Sequence, residues 1–504
     1  MSPTGRPLIV ASNRGPVTFE PGPDGELELH RGAGGLVTAL IGAMHDAGGL
    51  WVAAARSEGD RQMVAQTGDG RIDLQKYGSP YHVRYLDIAP DDYDAYYNGV
   101  SNGLLWFAHH YLWDTVRSPA FGDEAKQAWQ RYVEVNHRFA EALAEEGAAS
   151  SEEPAYLVQD YHLALVPRFL RELRPQALIS HFSHTSIAGP TYFRMLPVEI
   201  HDQLLHGMLG ADVLGFHSHA WAENFMLSAR QLPGARVDLG RSRVVVGGRD
   251  VAVRVHPISV DGAAMREAAA SPEVRTLRRD LARWKGDQRL LLRVDRLELT
   301  KNIVRGFHAF EMLLKRRPPW RGRVRFLAML SPSRGDVPEY REYGDLALAE
   351  AERINRELGD DGWTPIEVRL ADDYLGALAA YGLYDVLFVN PVIDGMNLVA
   401  MEGPVLNRRQ GVLVLSRNAG AFGRLGRYAL PVNPFDLGEM CEALERALDM
   451  PFDERTRRAR GLSRLVLSNP PERWVREQLE DLERSRRRRL EVAEGQPRRG
   501  QLSA

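Results

Sequence analysis

The feature that most constrains this chain is a repeated alternation of short apolar runs with amphipathic helical patterns. Pro7–Ser12, Leu50–Ala54, His82–Ile88, Tyr156–Gln159, Ala177–Ser183 and Ala211–Phe216 are compact apolar runs bounded by polar or glycine-bearing loops. Runs of this length without strict polar alternation suit strands buried on both faces, as parallel sheets provide. Helical patterns such as Asp123–Ala144 and Ala220–Gln231 lie between them. Around Arg236–Val255 the pattern changes to short β runs joined by Gly247-Gly248, and then the alternation restarts. Arg289–Val294, Val324–Leu330, Ile366–Leu370, Val386–Val389 and a last strand, Gly411–Leu415, are expected, with helices over 303–315 and 337–358. Two successive series predict an α/β chain of two Rossmann-like βαβ domains facing a central cleft. The division is expected between an N-terminal Rossmann-like domain, 1–255, and a C-terminal one, 256–468. A helix over 469–490 is expected to pack back on the first domain, with 491–504 a disordered tail.

A length of 504 residues agrees with two cores rather than one. A net charge of −3 gives no general attraction to nucleic acid or membrane. The Arg-rich run Arg484–Arg489 reads as a solvated helix end. One cysteine, Cys441, excludes an internal disulfide framework and a multi-cysteine metal site. No signal peptide and no bilayer-length apolar stretch is seen, so a cytoplasmic protein is expected.

Function is sought in the loops that follow the strands. Asn390–Glu402 (NPVIDGMNLVAME) follows a buried run and precedes a helical pattern. Gly395 lets backbone approach a ligand, and the amides of Met396, Asn397 and Leu398 fall at a helix N-terminus, where anions bind. Glu402, one turn on, reaches hydroxyl groups. The stretch suits a sugar carrying phosphate; taken alone, an ordinary loop with a helix cap accounts for it equally. Gly32–Gly35 before an apolar-periodic segment fits a phosphate-binding turn, or a flexible turn. Polar, Gly-rich sequence precedes it. Tyr97 and Trp106 would line a sugar pocket or pack a core. Asp160 and His184 sit at strand ends, where α/β sheets place ligand groups. Arg296, Lys301 and Arg334 each follow a strand and together would neutralise phosphates. Lys301 is expected to be an exposed lysine that contributes little packing.

These motifs resemble the retaining glycosyltransferases of the GT-B fold, and among them the trehalose-6-phosphate synthases of glycosyltransferase family 20. SNRGP, GGLVTAL, YYNGVSNGLLW, QDYHL, RVDRLELTKN, SPSRGDV, DGMNLVAME, VLVLS and VNPFD occur in the family's order and spacing, from about Leu8 to Trp474. The resemblance implies that Arg14, Tyr97, Trp106, Asp160 and Arg334 hold glucose 6-phosphate, the arginines taking its phosphate. It implies that Gly34 and Gly35 approach the donor, and that Arg296 and Lys301 bind its diphosphate. His184, Asp394 and the amides of Gly395, Met396, Asn397 and Leu398 would position the donor glucose, and Glu402 the ribose hydroxyls. Asp160, His184, Arg296 and Lys301 form the implied catalytic set. Neither a metal nor a cofactor is expected. Family members are often oligomers, so a homo-oligomer is expected, with the product passed to a separate trehalose-6-phosphate phosphatase.

The donor base is read from Arg369-Leu370-Ala371-Asp372-Asp373-Tyr374. Guanine presents N1–H and an amino group side by side, which one carboxylate accepts together; uracil flanks its N–H with carbonyls. An aspartate here, Asp372, leans towards GDP-glucose over UDP-glucose, unless it only caps the helix that follows. After His184 the family's Ile-Pro-Phe-Pro-type run is replaced by Thr185-Ser186-Ile187-Ala188-Gly189-Pro190. Two alternatives therefore stay open: a synthase using another phosphorylated acceptor, of the glucosylglycerol-phosphate or pseudo-glycoside type, and a non-catalytic sugar-phosphate-binding regulator.

Overall fold

The computed structural model describes residues 5–22, 24, 26–32, 37, 40, 41, 44 and 49–495, with side chains to residue 491. Gly34 and Gly35 lie outside the described residues, as does most of the segment 36–44. The chain forms two compact units. One runs to His109 and takes Trp113–His256 and the segment from Glu472; the other takes His110–Leu112 and Pro257–Pro471.

Among the described residues the first unit is built on a ten-stranded sheet. Its central strands, Leu8–Ala11, Leu50–Ala54, His82–Leu86, Ala155–Gln159, Leu178–Ser183 and Val213–Phe216, are parallel. Leu8–Ala11 lies between Ala155–Gln159 and Leu50–Ala54, so the winding direction reverses there. Apolar side chains on both faces explain why these strands read as unbroken hydrophobic runs. The sheet ends antiparallel at both edges, through Arg71–Asp73 on one side and, on the other, the hairpin Arg243–Val246 with Arg249–Val255 and the edge strand Arg236–Asp238. A separate hairpin, Val17–Pro21 with Leu27–Arg31, occupies the polar, Gly-rich stretch, for which no strand is expected. Its cause is the period-2 pattern of Val17 and Phe19, both buried.

The second unit is a six-stranded, wholly parallel sheet. Its spatial order is Ile366–Leu370, Val324–Ser331, Arg289–Arg296, Val386–Val389, Val412–Ser416, Leu430–Val432. Numbered along the chain this is 3-2-1-4-5-6, the order of a doubly wound dinucleotide fold. Leu430–Val432 extends the sheet past the strand expected to be last; three residues are too few for a periodic signal.

The helix Pro471–Gly495 belongs to the first unit over most of its length. Trp474 meets Phe182 edge to face at 4.9 Å. Asp481 and Glu477 accept from His256 at 2.8 and 3.2 Å. Arg489 reaches Asp212 at 3.0 Å and Arg488 reaches Asp250 at 3.1 Å. The Arg-rich run thus docks the helix instead of only facing water. The helix continues through 491–495, which corrects the expected start of the tail; 496–504 lie outside the described residues. Among the described residues no helix is long and apolar enough to cross a membrane.

Candidate functional site

In the second unit the ligand-type residues collect where the strand order reverses, between Arg289–Arg296 and Val386–Val389, the position at which open α/β sheets bind ligands. The loop after the first of these strands presents Glu298, fully buried. Its two oxygens meet Arg296 at 3.0 Å and Arg334 at 3.1 Å, and Lys301 lies 3.7 Å away. Burial pushes the Glu298 carboxyl up, but the three cations hold it below the usual range. Arg334 adopts a left-handed backbone (φ 46°) and also donates to the Tyr340 hydroxyl at 2.8 Å. The three cations identified as separate strand-end residues are therefore one cluster, organised by a glutamate that sequence reading did not single out. Its signal was the acidic position inside Arg-x-Glu-x-x-Lys.

Lys301 is buried, contrary to the expectation of an exposed lysine, and its Nζ donates to Asp394 Oδ2 at 2.5 Å. The ion pair draws it inward. Burial would lower its pKa, but Asp394 and Glu298 raise it above the ordinary value. Asp394 is in turn pushed up by burial and brought below its normal range by Lys301 and Asn397. Asn397 Nδ2 donates to Asp394 at 3.0 Å, while its Oδ1 accepts the Ala400 amide at 3.1 Å. The second bond satisfies an amide in the first turn of the helix Val399–Leu406, and Asn397 stands at φ 73°, a conformation asparagine tolerates. Gly420 packs so close that a Cβ there would meet the Gly395 carbonyl at 2.0 Å. Among the described residues the amides of Met396, Asn397 and Leu398 reach no internal acceptor. They lie just ahead of the helix Val399–Leu406, a position where free amides favour an anion. Glu402 accepts from the Tyr381 hydroxyl at 2.7 Å, and burial raises its pKa. Asp373, not Asp372, caps the helix Tyr374–Tyr381, accepting from Gly376 at 2.7 Å. Asp372 stays exposed.

In the first unit the winding also reverses beside the candidate residues, between Leu8–Ala11 and Ala155–Gln159. Asp160 ends the latter strand with φ 72°, a strained position for a non-glycine residue. Its Oδ1 accepts the His184 amide at 3.1 Å. The loop it opens carries His162, stacked on Tyr97 at 5.7 Å, and Tyr161, against Trp106 at 5.9 Å. Tyr97 and Trp106 come from a π-helical segment, Ala95–Leu105, and the helix after it; π-helical turns are frequent at functional sites. Trp106 is buried and Tyr97 half-buried. Arg14 is exposed, in a loop fixed by Trp51 Nε1 donating to Ser12 Oγ at 2.8 Å and Ser12 Oγ donating to the Arg14 carbonyl at 2.7 Å.

Both ring nitrogens of His184 are engaged, Nε2 with Gln159 at 3.0 Å and Nδ1 with His217 at 3.2 Å. Burial, then the neighbouring histidines, holds its pKa well below normal, so the ring is neutral at pH 7. Contact with a substrate hydroxyl would exchange one of these bonds. The departing run after His184 is buried from Thr185 to Ala188, with Ser186 Oγ donating to the His109 carbonyl at 2.8 Å.

The profile of glycosyltransferase family 20 matches residues 6–484. A trehalose-6-phosphate synthase of Mycobacterium sp. (strain JLS) is 36% identical over 488 residues, covering 94% of this chain and 96% of that protein. A validamine 7-phosphate valienyltransferase of Streptomyces hygroscopicus subsp. jinggangensis is 32% identical over 499 residues, covering 97% of each. The solved α,α-trehalose-phosphate synthase (UDP-forming) of Burkholderia xenovorans, in complex with glucose 6-phosphate, superposes with a TM-score of 0.80 at 29% identity. It covers 95% of this chain and 100% of that one.

Proposed function

The chain belongs to glycosyltransferase family 20, and on that premise we propose that it transfers glucose from a nucleoside-diphosphate glucose to glucose 6-phosphate, giving α,α-trehalose 6-phosphate with retention. Its fold is GT-B. The observation that carries the proposal is the joint placement of Arg296, Lys301 and Arg334 on Glu298 beside the Asp394–Leu398 turn.

In such a transfer the bond from the anomeric carbon to the diphosphate breaks, and negative charge grows on the leaving oxygen. Arg296, Lys301 and the free amides of the turn are arranged to stabilise that charge before it appears. An acceptor hydroxyl forms the new bond on the same face, and its proton passes to the leaving phosphate. Asp394 is occupied by Lys301 and Asn397, which suits a reaction without an enzyme nucleophile. The first unit supplies Arg14, Tyr97, Trp106 and Asp160 for the acceptor. The family resemblance assigns Arg334 to the acceptor's phosphate, although it is anchored with the donor cations.

The proposed donor is GDP-glucose, because Asp372 is the uncommitted carboxylate of its loop while Asp373 caps the helix. The Burkholderia relative is UDP-forming, so both donors belong in the assay. A second reading, a pseudo-glycoside synthase, is favoured by the Thr185–Pro190 run and by the valienyltransferase relative. The test is product analysis with GDP- and UDP-glucose against glucose 6-phosphate, glycerol phosphate, a cyclitol phosphate and free glucose. A phosphorylated non-reducing disaccharide from glucose 6-phosphate supports the proposal. Turnover only with the cyclitol phosphate supports the second reading, and no transfer with any acceptor overturns both.

A further inference from the structure

Arg56 follows strand Leu50–Ala54 and belongs to none of the motifs above. Strand Leu50–Ala54 pairs with Leu8–Ala11 in register Ala11↔Val52, and the pairing continues as the Ala54 amide donates to the Asn13 carbonyl at 3.3 Å. Arg14 leaves one residue beyond that bond and Arg56 two residues beyond it. The two arginines thus emerge from neighbouring strand ends at the same edge. On the other side of Leu8–Ala11, the adjacent strand delivers Asp160 to that edge.

The surroundings of Arg56 are unusual for a cation in this unit. Its guanidinium carbon lies 6.0 Å from the centre of the Tyr97 ring. Tyr97 is itself stacked on Tyr93 at 5.4 Å, and the Tyr93 hydroxyl accepts from Asn13 Nδ2 at 3.1 Å. Of the carboxylates that follow Arg56 in the chain, Glu58 meets Arg61 at 3.2 Å and Asp60 is committed to backbone. Its oxygens accept the amides of Phe19, Arg56 and Ser57 at 2.9, 3.0 and 3.1 Å. Among the described residues no carboxylate pairs with the Arg56 side chain, and its Nε is buried without a hydrogen-bond partner. Other half-buried arginines of the unit, such as Arg84, Arg171 and Arg174, each meet an acid within 2.8 Å. A buried donor without an acceptor costs free energy that a bound anion recovers.

We infer that Arg56 is a second phosphate-binding cation of the acceptor subsite, gripping the acceptor's phosphate beside Arg14 while its planar face rests on Tyr97. The inference rests on the acceptor reading proposed above and deepens it. A phosphate dianion offers oxygens to two guanidinium forks at once, so discrimination against an unphosphorylated sugar would be built largely into this edge.

The test is steady-state kinetics of Arg56→Gln and Arg56→Lys, with unfolding midpoints measured alongside and inorganic phosphate as a competing probe. Loss of a charge-assisted bond to phosphate corresponds to a rise in KM of about ten- to a hundred-fold. Arg56→Gln should show that rise for glucose 6-phosphate, with the KM of the nucleotide sugar and the midpoint unchanged and phosphate competition weakened in parallel. Arg56→Lys keeps the charge but not the fork and should show a smaller rise. Native KM for glucose 6-phosphate in both variants overturns the inference. So does an equal rise for free glucose, which would mark Arg56 as a brace for the tyrosine stack. Should Arg56→Gln fail to fold, a native KM in Arg56→Lys alone is enough to overturn it. If the native enzyme uses glucose and glucose 6-phosphate equally well, the acceptor reading itself has failed. If it requires the phosphate while the Arg56 variants behave as native, only this inference has.

Discussion

Asp385 and Glu298 stand at opposite ends of the same six-stranded sheet, and each is a buried carboxylate ringed by three cations. Asp385 precedes strand Val386–Val389 and meets Arg289, Arg455 and Arg409 at 2.9, 3.3 and 3.4 Å, besides accepting the Leu290 amide at 3.0 Å. Arg455 also donates to the carbonyls of Gln410 and Arg409 at 3.1 and 2.9 Å. The cluster therefore ties the entry points of neighbouring strands to one another. Glu298 follows strand Arg289–Arg296 at the other end. The Arg296 side chain of this cluster is 48% exposed. Equal charge inventories thus do different work. At the N-terminal end of the strands the cations tie neighbouring segments together, and at the C-terminal end they surround an acid beside the proposed donor site.

The largest effect expected on this contrast is on stability. Asp385→Ala should lower stability by about 3–5 kcal/mol, since it leaves the buried Arg455 without its acid. Thermal unfolding would show a clear drop, while kcat/KM of the folded fraction stays near native. A variant with native stability and lost activity would erase the distinction between the two ends.

Lys301→Ala should lower kcat/KM by about 2–4 kcal/mol, similar to losing one preorganised donor at a developing charge. Because Lys301 is buried against Asp394, the unfolding midpoint must be measured too and the rate expressed per folded molecule. Native kcat/KM in that variant would remove the residue from the mechanism.

Arg334 sharpens the contrast within the Glu298 cluster. If it takes the acceptor's phosphate, Arg334→Ala should weaken glucose 6-phosphate by about 1.5–3 kcal/mol, read as a higher KM, and the donor much less. A larger rise in the donor KM would place it with Arg296 and Lys301.

The smallest effect concerns the base. Asp372→Asn should cut any preference for GDP-glucose over UDP-glucose by about 1–3 kcal/mol, by analogy with paired base contacts in nucleic-acid complexes. Native preference for UDP-glucose, or a GDP preference untouched by this change, would remove Asp372 from base choice.

These regions were not equally legible in the sequence. The buried parallel strands were, because double-sided burial writes an unbroken apolar run, as in Val386–Val389. The Asp394–Leu398 turn was, because Gly and Asn between a strand and a helix have few conformational alternatives. Glu298 was not: an acid among basic residues shows its partners only once Arg334, from the loop after the neighbouring strand, is brought beside it. The burial of Lys301 followed from the same long-range pairing. Arg56 carried no motif, and its meaning comes from the register of two strands far apart in the chain. The hairpin Val17–Arg31 was hidden among glycines and charges, although its alternation is visible in Val17 and Phe19.

The claim at the centre of this account is that the Glu298 cluster and the adjoining turn hold the donor's diphosphate. Calorimetric titration of GDP and of UDP into the native protein, Lys301→Ala and Arg296→Ala tests it without depending on base or acceptor. The account predicts that at least one of the two nucleotides binds the native protein and that both variants bind it more weakly, with native affinity that falls as salt rises. Equal affinity in all three proteins, or no binding of either nucleotide to the native one, would contradict it.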